Sequence, residues 1–218
     1  MRLPSPRSAL ALLLVASLAR AQEIERTPDP LGKLDPSTRY AIEMLMDSAR
    51  LAGLPYGPLE SKALEGISKR ASGREIFTAV RRVFRSLKEA RVVLGAGAAS
   101  DELAAAAGAL RVGVTSAQLS RIATTRDGRP LTVPLVVLAD LVTRGVPRDT
   151  ASLTIFQLSL RGAADDDFLG LWRSVERDIV SGTDPGVALL NRAREFPTRG
   201  PPPAAMPSSG VRPEEPKP

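Results

Sequence analysis

The side chains from which this sequence can build a chemical site are carboxylates, hydroxyls and cations, because its 218 residues include neither histidine nor cysteine. That removes the commonest general base, the thiol nucleophile and the usual ligands of transition-metal sites. No G-x-S-x-G elbow and no S-x-x-K occurs either, so serine-hydrolase and penicillin-binding chemistry find no support. Two chemistries survive: a pair of acids placed about a glycosidic bond, and cations arranged for an anionic partner.

The acids come first. Glu60, in "GPLESKALEG", falls in the first turn of an expected helix, where the helix dipole favours a glutamate without any catalytic role. A second carboxylate converging with it in a concave pocket would favour an enzyme. Asp165, Asp166 and Asp167 are consecutive, whereas hard-cation loops space their ligands apart. An N-cap followed by two dipole-favoured acids accounts for them, so no metal site and no cofactor is expected. "GAGAAS", residues 95 to 100, follows a helix rather than a strand and lacks the third glycine of a nucleotide loop. Trp172 sits in an apolar stripe and is expected to pack in the core.

The cations are more informative. In "SGREIFTAVRRVFRSLKEAR", residues 72 to 91, Ile76, Val80, Val83 and Leu87 form one apolar row, widened by Phe77 and Phe84. Arg74, Arg81, Arg85 and Lys88 form a second row, because steps of seven, four and three residues return to roughly one side of a helix. Arg82 and Arg91 flank it, and Lys62, Lys69 and Arg70 precede it. Residues 62 to 91 carry nine basic and three acidic side chains, a local +6. Arg74, Arg81, Arg85 and Lys88 are therefore the candidate anion-binding residues. The expected partners are an anionic envelope component or an acidic protein surface. Nucleic acid is disfavoured, because no aromatic residues interleave with the row to stack bases.

The address follows from the N-terminus. Arg2 and Arg7 form a basic n-region, Ala9 to Leu18 an apolar run, and Ala19 and Ala21 the small pair that a signal peptidase reads. The apolar run is too short to span a bilayer, which takes about twenty residues. Cleavage after Ala21 and a periplasmic or secreted location are expected. Losing Arg2, Arg7 and Arg20 from the 30 basic residues leaves 27 against 24 acids, so the formal +6 falls to +3. Without cysteine there is no disulfide framework, and stability must come from a packed core poor in aromatics, which are 4% of the chain.

The elements that position these groups are helices. Residues 22 to 34 read as an extended lead-in, 35 to 196 as an all-α domain, and 197 to 218 as a disordered proline-rich tail. Helices are predicted near 36–52, 57–69, 73–93, 101–112, 116–124, 133–144, 147–161, 166–181 and 185–195. Asp35 with Pro36, the capping box Ser72 with Glu75, and a second box of Thr115 with Gln118 mark starts. Gly53, Gly113, Gly145 and Gly182 mark stops, but their spacings of 60, 32 and 37 residues define no clean period. An irregular bundle and a degenerate array of helical hairpins both fit. Between 131 and 160, "LTVPLVVLADL" and "SLTIFQLSL" also carry strand-like patterning. The favoured function is a non-catalytic binding or scaffolding module of the bacterial cell envelope; the competing one is a carboxylate-dependent enzyme acting on envelope polysaccharide. The intact mass of the exported protein should correspond to a chain beginning at Gln22, and a mass retaining the leader would make it an anchored protein instead.

Overall fold

A computed structural model describes residues 29–126 and 128–195. The expected leader, its cleavage site and the proline-rich tail lie outside the described residues. Within them the protein is all-helical, with nine helices and no strand: α1 (Pro36–Leu51), α2 (Gly57–Ser68), α3 (Gly73–Leu94), α4 (Ser100–Arg111), α5 (Ser116–Thr124), α6 (Thr132–Thr143), α7 (Arg148–Leu160), α8 (Asp165–Val180) and α9 (Pro185–Glu195). No helix among the described residues is long and apolar enough to cross a membrane.

The two strand-like stretches are helices α6 and α7. Pro134 sits in the first turn of α6, where a backbone N–H is not needed, and Leu135, Leu138 and Leu141 behind it form a buried helical stripe. Helix α7 packs against α5, α6 and α9. Being covered on several sides, it buries Ser152, Thr154 and Ser159 as well as Ala151, Ile155 and Leu158, which blurs the 3.6-residue period in its sequence.

The helix ends repeat one device. At Gly53, Gly113, Gly145 and Gly182 the chain turns left-handed, and two crossed hydrogen bonds close each terminus; around Gly113 they are Val114 N–H to Ala109 O, 3.1 Å, and Gly113 N–H to Leu110 O, 3.0 Å. The same pair closes α7 at Gly162 and α2 at Arg70, whose φ of 55° is the only positive value at a non-glycine residue described. The starts follow the sequence too. Asp35 accepts from the Thr38 N–H at 3.0 Å, and both capping boxes form. Four starts shift by one residue, α4, α6 and α8 earlier and α7 later, and at α8 this puts Ala164 at the N-cap in place of Asp165. Asp167 reaches back to the Ala164 N–H at 2.8 Å, and Asp165 is released for another partner.

Packing follows a simple rule in which many helices contact the helix two further along, as in α1 with α3, α3 with α5, α4 with α6, α5 with α7, α6 with α8 and α7 with α9. Side-chain bonds across the pairs from α4 onward recur at a nearly constant separation, whereas Ser116 of α5 bonds Glu89 of α3 only 27 residues away. Thr132 bonds Asp101 and Gln118 bonds Asp149, each 31 residues apart, and Trp172 bonds Asp140, 32 apart. Helix α3 is the centre of the N-terminal half, touching α1, α2, α4 and α5.

Helices α2 and α3 pack closely at Gly66. A Cβ added at Gly66 would lie 2.6 Å from Ile76 Cγ1, and Ile76 is buried and stiff at χ1. Overpacking of this kind costs about 1–3 kcal/mol, while alanine's better helix propensity returns about 0.8–1. Gly66→Ala should therefore lower the melting temperature. Arg70→Gly should raise it by a few degrees, because the left-handed conformation costs a residue with a Cβ about 1–2 kcal/mol. Thermal melts of the two variants against wild type test both signs.

Candidate functional site

Helix α3 sets the geometry of the basic surface. Its start is fixed by Ser72, whose backbone N–H and hydroxyl both donate to Glu75 Oε2 at 2.8 and 2.7 Å. Ile76, Val80, Val83 and Leu87 then point inward, each no more than 2% exposed. With that row buried, Arg74, Arg81, Arg82, Arg85 and Lys88 face solvent. At 1.5 Å of rise per residue, Arg74 to Lys88 is a stripe about 21 Å long.

The stripe is not neutralised from within. Helix α3 contains two acids. Glu75 is turned back into the cap, and the Ser72 hydrogen bonds hold its carboxyl below the usual range. Glu89 accepts from the Ser116 hydroxyl of α5. None of Arg74, Arg81, Arg82, Arg85 and Lys88 forms an ion pair among the described residues, although Lys88 lies 5.9 Å from the Phe84 ring centroid. Arg74 and Arg82 also flank a depression of about 230 Å³ floored by Thr78 and Ala79 and bordered by Glu75.

Several neighbouring cations counted in the sequence do not join them. Arg91 donates to the carbonyls of Gly53 and Ala96, tying the end of α3 to the α1–α2 turn. Lys62 and Lys69 both grip Glu65, at 2.7 and 2.6 Å, which lowers that carboxyl to about 2. The available row is thus shorter than residues 62 to 91.

The acids divide differently. Glu60 shares a depression of about 350 Å³ with Asp29, Glu43 and Asp47. Three of these four are engaged: Asp29 and Glu43 with Arg39, and Asp47 with Arg50. Glu60 forms no ion pair among the described residues. Asp165 is not the expected N-cap; it pairs with Arg126 at 2.7 Å. No group of three or more acids among the described residues is arranged to hold a metal ion.

Two features had no sequence signal. Arg126 is buried, donating through Nε to Pro130 O at 2.9 Å, through one terminal nitrogen to Ala163 O at 3.0 Å, and through the other to Asp165. Its partners lie up to 39 residues away, beyond any local pattern. An open depression of about 920 Å³ lies between α7 and α9, where Leu153 and Leu190 stay half exposed beside Arg161 and Arg194. Those leucines fit helical stripes, and only the arrangement of the two helices leaves them uncovered. Trp172 is also less buried than expected. It lies at the rim, donating to Asp140, with the Arg144 guanidinium 5.5 Å from its ring.

Among the described residues, fold and surface together define an all-α helical bundle with an unneutralised basic stripe on α3. No protein family's sequence profile matches the chain, and no curated protein or solved structure matches it at a significant level.

Proposed function

We propose that this protein is a non-catalytic binding module of the bacterial cell envelope, built as a degenerate array of helical hairpins, that engages an anionic partner through α3. One observation carries the reading. Arg74, Arg81, Arg85 and Lys88 are all exposed and unpaired, while both carboxylates of their own helix are committed to other hydrogen bonds. Elsewhere Arg39, Arg50, Arg144 and Arg192 are matched, while Arg111, Arg161, Arg173, Arg177 and Arg194 are exposed without an ion pair among the described residues but do not line up as four cations on one helix. The contacts between alternate helices, and the 31–32-residue register of the bonds from α4 to α8, support the hairpin array. A leader of the signal-peptide type supports the location.

One exposed ion pair contributes only about 0–1 kcal/mol, so useful affinity needs several contacts formed together. Such binding weakens with salt, as the Debye length falls from about 10 Å at 0.1 M to about 3 Å at 1 M. Replacing Arg74, Arg81 and Arg85 together with glutamine should abolish co-sedimentation with anionic vesicles or purified cell wall at low salt, with helix content unchanged. Wild type and triple mutant behaving alike on both supports would leave the stripe as a solvated face.

A second reading, a carboxylate-dependent enzyme acting on envelope polysaccharide, is favoured by the convergence of Glu60 with Asp29, Glu43 and Asp47 in one depression. Glycoside hydrolysis needs two carboxyl groups about 5–9.5 Å apart, one of them free to give a proton. Glu60, which forms no ion pair among the described residues although Arg50 lines the same depression, would take that role. Release of soluble sugar from purified cell wall by wild type, lost in Glu60→Gln, supports this reading; no release by wild type removes it.

A further inference from the structure

We infer that the α3 stripe is built for a linear phosphate-bearing polymer without bases, lying along the helix axis, not for a single anion, a nucleic acid or a flat anionic surface. The inference rests on the binding reading above and names its ligand class. Length decides between a point and a line. The cations extend over about 21 Å, whereas charges in physiological salt act over a Debye length of about 8 Å. A small anion at Arg74 is therefore screened from Arg85 and Lys88. A chain carrying a charge on every unit passes each cation in turn and sums their contributions.

Chemistry then selects among polymers. Four of the five cations, Arg74, Arg81, Arg82 and Arg85, are arginines, whose planar forks bond oxyanions through two parallel N–H groups. Arg74 and Arg82 line one depression with Thr78, Ala79 and the Glu75 carboxylate, whose Oε2 is turned to the Ser72 N–H and hydroxyl. The terminal phosphate of such a chain keeps three non-bridging oxygens, enough to meet two guanidinium groups at once, where a carboxylate has two. That depression is the anchor, and Arg81, Arg85 and Lys88 continue the track.

Other anionic partners fit less well. Membrane adsorption draws on apolar side chains that enter the interface beside the cations. On α3 the one large apolar residue that stands well exposed is Val92, beyond the end of the stripe. Single-stranded nucleic acid calls for aromatic faces, and Phe77 and Phe84 are packed half-buried against the core.

The experiment measures binding of the full chain to inorganic polyphosphate of graded length, with affinities compared per phosphate unit so that overlapping sites do not count. Tripolyphosphate, poly-glutamate and a single-stranded DNA homopolymer are the comparisons. Affinity should rise about tenfold or more from tripolyphosphate to chains that span the stripe, then level off. The logarithm of affinity should fall linearly with the logarithm of salt, as release of counterions from several phosphates requires. Changing Arg74, Arg81 and Arg85 together to lysine keeps the charge and removes the forks, so it should weaken polyphosphate binding several-fold. The length series needs only wild type and stands even if a variant fails to fold. Length-independent affinity, poly-glutamate or DNA binding as tight as polyphosphate, or an unaffected lysine variant would overturn the phosphate-polymer inference. The wider reading survives that outcome if the glutamine triple mutant still loses the vesicles or cell wall, and fails with it if wild type binds no anion.

Discussion

The apolar row of α3 is the constraint on which the rest of the structure depends. Ile76, Val80, Val83 and Leu87 are closed over by α1, α2, α4 and α5. Burying each such side chain contributes about 1.5–3 kcal/mol, far more than any exposed charge on the same helix gains or loses. The rotation of α3 about its axis is therefore set by oil, and the cations go where that rotation sends them. Gly66 shows how tightly the rotation is held, because α2 approaches Ile76 more closely than a methyl group allows.

Cations in this protein do two kinds of work. Some join helices distant in sequence. Arg126 satisfies two carbonyls and one carboxylate between the end of α5 and the start of α8, with Arg129 reaching Ala163 O at 2.7 Å beside it. Burial pushes the Arg126 guanidinium down from its usual range, with the nearby Arg129 charge acting the same way. A buried cation persists under that pressure because its donors are matched. Arg144 and Arg192 do the same at the surface, linking α6 to α8 and α8 to α9. The arginines of the α3 stripe form no ion pair among the described residues, as Arg111, Arg161, Arg173, Arg177 and Arg194 also do not, and what separates them is that four of them share one helix.

The acids mirror that division. Most carboxylates with a partner cap a helix or hold an arginine, as Asp35, Glu75 and Asp178 do. Glu60 departs from the pattern, lying among three engaged acids without a cation of its own. The molecule thus presents an acidic depression beside α1 and α2 and a basic stripe on α3. A binding surface and a catalytic pair place opposite demands on these two places: many weak contacts along a line in one, and one proton donor at a point in the other.

How much of this was legible in the sequence depends on the range of the interaction responsible. Helix number, type and most ends were readable, because caps, boxes and glycine stops act within five residues; Ser72 with Glu75 and Thr115 with Gln118 need no tertiary partner. The outward facing of Arg74, Arg81, Arg85 and Lys88 was readable for the same reason, since helical periodicity places them away from the apolar row. The N-cap at Asp165 was misread because a side chain 39 residues away competes for it. The patterning between 131 and 160 was ambiguous because helices buried on several sides lose their amphipathic signature. Which cations are spare, which acids converge on Glu60, and that Leu153 and Leu190 border an open depression were decided only by tertiary structure. A charge is free or paired according to neighbours that sequence spacing does not specify, and those neighbours arrive only when the helices pack.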